Sequence, residues 1–178
     1  MVMQNIMLLL PEIFLIITAL GFLIAGVFQG NRSTDVLCWS ACVSFIIALL
    51  ILGSPLKADP HYLLGDMLVL DSFSHILKIM ILIALFLSVM LSTQYLYQER
   101  IARFEYPVLI MFAGIGMLFM VSANNFLSLY MALELQSLSL YVLAAFHRHT
   151  IRSSESAAKY FILGALSSGL LLLSLIHI

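Results

Sequence analysis

Six stretches of this chain are each apolar for about twenty residues, the length a helix needs to cross a hydrocarbon layer ~30 Å thick. They run from Ile6 to Phe28, Val36 to Gly53, Leu68 to Ser92, Pro107 to Ser122, Asn125 to Phe146 and Ala157 to Ile176. Only helices and closed barrels satisfy every backbone polar group in lipid, and runs this long and continuous do not suit barrel strands. The reading is an all-α fold, a polytopic transmembrane helical bundle of six spans in a single membrane domain over residues 1–178. Turn-forming segments such as QGNRSTD, SANN and HRHTIRSSES separate the runs. Charged residues make up 10% of the chain, against roughly 25% in soluble domains, and mean hydropathy is +1.11. A net charge of −1 excludes a basic nucleic-acid binder.

Basic residues set the expected orientation. Arg32, Arg100, Arg103, Arg148 and Arg152 fall in the odd-numbered loops, and only Lys57 falls on the other side. The odd loops are therefore expected in the cytoplasm, with both chain ends outside. The opening MVMQN lacks a basic region, so no cleavable signal is expected. Cys38 and Cys42 stand in C-x-x-x-C spacing on a helix, which suits small core residues and neither a redox pair nor a zinc site.

Charges inside spans cost about 2.5–3.5 kcal/mol on insertion scales, so intramembrane acids and amines are functional candidates by default. Glu134 lies ten residues past Asn124, about 15 Å into its span. Tyr130, Ser137 and Tyr141 share its helix face at i, i+4, i+7 and i+11 spacing. This stripe fits either a carboxyl that exchanges protons or a packing acid locked by hydrogen bonds. Asp71, His75 and Lys78 form a second stripe on the third run, open to a functional reading or to a snorkelling lysine with a boundary ion pair. Lys159 opens the sixth run, as positive-inside punctuation or as a partner that the short 5–6 connection brings to the Glu134 stripe. His147 and His149 flank Arg148 as a solvated loop end or a proton relay. The stretch GALSSG, Gly164 to Gly169, reads as a small-residue packing face. No metal-ligand cluster or phosphate-binding glycine loop is visible.

The blocks LELQSLSLYVLAAF and SSESAAKYFILGALSSGLLL, with DSFSHILKIMIL and FLSLYMALELQSLSLY, closely resemble the N subunit of bacterial NADH–quinone oxidoreductase, respiratory complex I. The resemblance covers nearly the whole chain and is strongest from Asp71 to Leu172. It implies an antiporter-like membrane subunit, related to Mrp-type cation/proton antiporters, that moves protons while quinone is reduced elsewhere in the complex. Glu134, within LELQSL, matches the family's key glutamate, and Lys159, within KYF, matches the lysine opening the following helix. Lys78 lies in a family-typical stretch. No cofactor is expected on this chain; FMN, iron–sulfur clusters and quinone belong to other subunits. The expected partners are other complex I membrane subunits and the lipid bilayer, with protons as the transported ion and no nucleic acid. The expected location is the bacterial inner membrane.

The family continues with further helices where this chain stops at LLLLSLIHI, so an N-terminal portion of a longer subunit is expected. Two other readings stand beside it: an Mrp-type cation/proton antiporter subunit, and a non-catalytic membrane scaffold or inactive fragment.

Overall fold

The computed structural model describes residues 9–30, 34–53, 61–99, 101–148 and 150–178. Arg32, Lys57, Arg100, His149 and the start of the first apolar run lie outside the described residues. Six helices are long and apolar enough to cross a membrane: α1 Leu10–Gln29, α2 Thr34–Leu52, α3 Ser72–Gln98, α4 Glu105–Ser122, α5 Phe126–Ala144 and α6 Ile151–His177. The all-α bundle expected from hydropathy is the observed architecture.

Local chemistry sets the helix starts. Pro11 stands in the first turn of α1, where its missing N–H forfeits no intrahelical bond. Asp71 caps α3: its carboxylate accepts from the Ser74 N–H at 2.7 Å, and the Ser74 hydroxyl accepts from the Asp71 N–H at 3.0 Å. Asn125 caps α5 through the Ser128 N–H, and Thr150 caps α6 through the Ser153 N–H. Ser153 also donates to the Ala144 carbonyl, tying the start of α6 to the end of α5.

Hydropathy alone starts the third span at Leu68, but Leu68–Leu70 is a strand. It is β2, paired antiparallel with β1, His61–Leu63. The turn between them carries Leu64, Gly65 and Asp66 at φ values of 53°, 65° and 67°. Such a left-handed run favours glycine and strains the leucine. Asp71 then stops the hairpin and starts the helix, a capping preference that overrides the apolar run. The hairpin seals one end of the bundle: Leu63, Leu68 and Leu70 pack with Leu9, Ile13 and Phe119. The Met67 carbonyl accepts from the Asn124 N–H and the Ser128 hydroxyl, each at 2.9 Å, and Leu68 bridges to Ala123. The start of α1, the start of α3, the end of α4 and the start of α5 therefore meet at this hairpin end.

The core joins α1 to α4. Cys38, Ala41, Cys42 and Ala48 of α2 are buried with Leu15 and Ala19 of α1, so the cysteines are small core residues as their spacing suggested. The enclosed centre is α4. A methyl group on Gly116 would lie 2.8 Å from the Gln136 backbone nitrogen and 2.9 Å from the Ala132 carbonyl oxygen of α5. Two helix backbones approach that closely only across a glycine. On the far side, α6 packs chiefly on α5 and is almost wholly exposed. Of the two glycines bounding GALSSG, Gly164 lies against the Tyr141 ring, while Gly169 faces open space.

Candidate functional site

Two groups of ionisable side chains enter the bundle, and they lie on different helices. The first is on α5. Glu134 sits eight residues past Phe126, roughly 12 Å along the helix axis, and is partly buried. Its Oε2 is buried with no hydrogen-bond partner among the described residues. Tyr130 and Ser137 on the same face are partly buried, and Tyr141 is buried. The stripe inferred from spacing therefore turns toward protein over most of its length. At its far end Tyr141 meets the rings of Tyr160 and Phe161 edge-on, with centroids 4.9 and 5.6 Å apart. These contacts dock α6 onto α5.

Lys159 lies beside that contact, but the structure directs its side chain elsewhere. α6 begins at Ile151, so Lys159 stands about two turns in rather than at the helix start. Its ammonium pairs with Glu155 one turn earlier, at 2.5 Å, with the side chains 69% and 59% exposed. Glu134 and Lys159 thus occupy adjacent helices without an ion pair between them in this state.

The second group is at the hairpin end. Lys78 is buried, and its Nζ donates to Oε1 of Glu12 on α1 at 2.5 Å, both side chains being 1% exposed. The sequence pattern suggested Asp71 as the acid nearest Lys78 on its own helix. Instead, Asp71 is occupied in capping α3, and its carboxyl is held below the usual carboxylate range, chiefly by the Ser74 N–H. Lys78 does not snorkel, because an acid from another helix meets it. Sequence reasoning missed Glu12. Its available signal was an acid standing just behind Pro11 inside an otherwise apolar run, which a first-turn reading explains away by the helix dipole. His75, one turn before Lys78, is partly buried, with Nδ1 buried and unpartnered.

At the opposite end, Arg148 reaches Glu105 at 3.9 Å, and Phe146 packs edge-on against Tyr106. His147 is partly exposed there. No group of three or more His, Cys, Asp or Glu suited to a metal ion occurs among the described residues.

A multi-pass helical membrane protein with acids and amines inside its spans is the class that this fold and these side chains define. Within that class, residues 123–178 match the family model described as NADH:quinone oxidoreductase/Mrp antiporter, TM. The chain is 44% identical over 164 residues to NADH-quinone oxidoreductase subunit N of Methylobacterium nodulans, covering 92% of this chain and 34% of that one. It is 45% identical over 166 residues to subunit N of Paramagnetospirillum magneticum, covering 92% and 33%. Against subunit N of Rhodobacter capsulatus it is 43% identical over 166 residues, covering 93% and 34%. The resemblance to subunit N thus runs along nearly the whole chain, which spans about a third of the length of the curated relatives it matches. Among solved structures, a chain of respiratory complex I from Thermus thermophilus with bound aureothin superposes with a TM-score of 0.72 at 24% identity, covering 89% of this chain and 34% of that one. That likeness confirms the fold.

Proposed function

We propose that this chain serves as part of a membrane-arm subunit of a proton-pumping NADH–quinone oxidoreductase, with Glu134 as a proton-carrying group. The observation that carries this reading is the Glu134 carboxyl, held mid-helix with one buried oxygen left without a donor among the described residues, in a chain that resembles subunit N over nine-tenths of its length. An acid in that position is stable when protonated, or when a cation approaches it. Lys159 is the mobile cation: leaving Glu155, it swings toward the α5 stripe and favours ionised Glu134, and its return favours proton uptake. The Glu155–Lys159 pair is exposed roughly 6–12 Å along α6, across the start of the apolar run at Ala157. In this reading the chain is inactive alone, sits in the bacterial inner membrane with its N-terminus outside, and binds no redox cofactor itself. FMN, iron–sulfur clusters and quinone reside in partner subunits.

The test is Glu134→Gln in the assembled complex, with NADH–quinone turnover and proton uptake measured on the same membrane vesicles. A fall in protons moved per electron is expected; an unchanged ratio refutes the role. The shared family model over residues 123–178 also favours an Mrp-type cation/proton antiporter. Sodium-dependent proton flux without quinone turnover would select that alternative.

A further inference from the structure

The buried Glu12–Lys78 pair is not explained by the Glu134 stripe. It joins different helices and lies beneath the hairpin. A static clamp would be best served by a carboxylate with both oxygens satisfied, because a buried acceptor left without a donor is costly. Here Oε1 takes the lysine and Oε2 takes nothing among the described residues. Two more buried polar atoms at the same end of the bundle have no partner among the described residues: Nδ1 of His75, in the first turn of α3, and Oγ of Ser122, at the last residue of α4. His75 and Lys78 are three residues apart, so they share one helix face. Lys78 is fully enclosed, whereas His75 is only partly buried and lies between exposed Phe73 and Ile76.

We propose that Glu12, Lys78 and His75 form a second proton-exchange site at the hairpin end, with His75 as its port. The electrostatics give the exchange its order. His75 and Lys78 carry like charges when both are protonated, a state disfavoured at one-turn separation. A proton arriving on His75 therefore drives one Nζ–H proton of Lys78 onto Oε1 of Glu12, which leaves a neutral amine beside a neutral acid. The imidazolium proton then restores the ammonium, and the Glu12 proton departs. One proton enters and one leaves, only N–H and O–H bonds change, and the pair returns to its starting state.

Few other charges face this set. The acidic residues in the first turns of α2 and α4, Asp35 and Glu105, lie at the opposite end of the bundle, and so does Tyr106. Strand β2 is Leu-Val-Leu. Among the described residues the ionisable groups at the hairpin end outside the set are Asp71, which caps α3, His61 and Tyr62 on β1, Asp66 in the turn and Tyr130 in the second turn of α5, with Glu134 one turn deeper on α5.

Infrared difference spectroscopy on membranes containing the protein, titrated in H2O and D2O, tests the proposal without recourse to pumping. A deuterium-sensitive protonated-carboxyl band that titrates with pH should be present, vanish in Glu12→Gln, persist in Glu134→Gln, and shift its midpoint in His75→Gln. If Glu12→Gln fails to fold, Glu12→Gln/Lys78→Met removes both charges together and must also lack the band. A spectrum in which neither variant removes a titrating band overturns the site. An unshifted midpoint in His75→Gln overturns the port.

Discussion

Lys78→Met tests the energetics of the hairpin end most directly. The change keeps an unbranched chain of similar length and removes only the ammonium, so the packing of α3 should survive. What does not survive is the partner of Glu12, which is 1% exposed and has Lys78 as its hydrogen-bond partner among the described residues. Breaking a buried pair from one side strands the other charge and costs ~3–5 kcal/mol, or two to four decades in the folded-to-unfolded ratio. Glu12→Gln strands the ammonium instead and should cost a similar amount. The double variant Glu12→Gln/Lys78→Met strands no charge, and replacing both members of such a pair is often neutral or even stabilising. The four proteins form a cycle whose coupling should exceed ~3 kcal/mol, above the ~0.5–3 kcal/mol usual for neighbouring residues. Unfolding by SDS titration in mixed micelles, followed by circular dichroism, measures it. If Lys78→Met costs under ~1 kcal/mol, or the single changes simply add, the pair is not a desolvated interaction and the reasoning fails.

Gly116→Ala should destabilise the α4–α5 contact, because its methyl meets backbone atoms of Gln136 and Ala132 that have little room to yield. Overpacking of ~1–3 kcal/mol outweighs the ~1 kcal/mol gained in helix propensity, and Gly169→Ala, facing open space, should be neutral or stabilising in the same SDS titration. Asp71→Ala should cost ~0.5–2 kcal/mol through loss of the α3 cap. Because the Ser74 N–H holds the Asp71 carboxyl below its usual range, the cap's contribution is complete above the ordinary carboxylate range. It is lost as pH falls through the lower folded value, so the gap between variant and parent in thermal unfolding should close in strong acid.

The bundle was legible in the sequence because lipid leaves the chain few choices. A long apolar run must be a helix, and its polar interruptions mark its ends. Departures from the simple reading arise where a local preference competes with hydropathy. Leu68–Leu70 is apolar enough to start α3, but Asp71 and Ser74 form a capping box that fixes the start at Ser72. Lys159 stands deeper in α6 than the polar run before it suggests, because Thr150 caps the helix at Ile151. Both shifts follow from capping, a signal present in the sequence that an apolar window averages away.

The site was legible only in part, because hydropathy and spacing describe one helix at a time. Glu134 and its stripe belong to a single helix, so periodicity alone found them. The partner of Lys78 does not: Glu12 is sixty-six residues away in the chain, and nothing on α3 points to it. Asp71 and His75 instead satisfy the rule that nearby residues on one helix face interact, and that rule selects the wrong acid. The correct pairing needs the hairpin. By packing Leu63, Leu68 and Leu70 against Leu9 and Ile13, it brings the first turn of α1 level with the second turn of α3. An acid that reads as an ordinary first-turn residue thereby becomes the counter-ion of a buried lysine. For intramembrane charges, then, the informative question is which other element ends or begins at the same depth. Glu12 answers it for Lys78, whereas Lys159 pairs with Glu155 of its own helix and the Oε2 atom of Glu134 has no donor among the described residues.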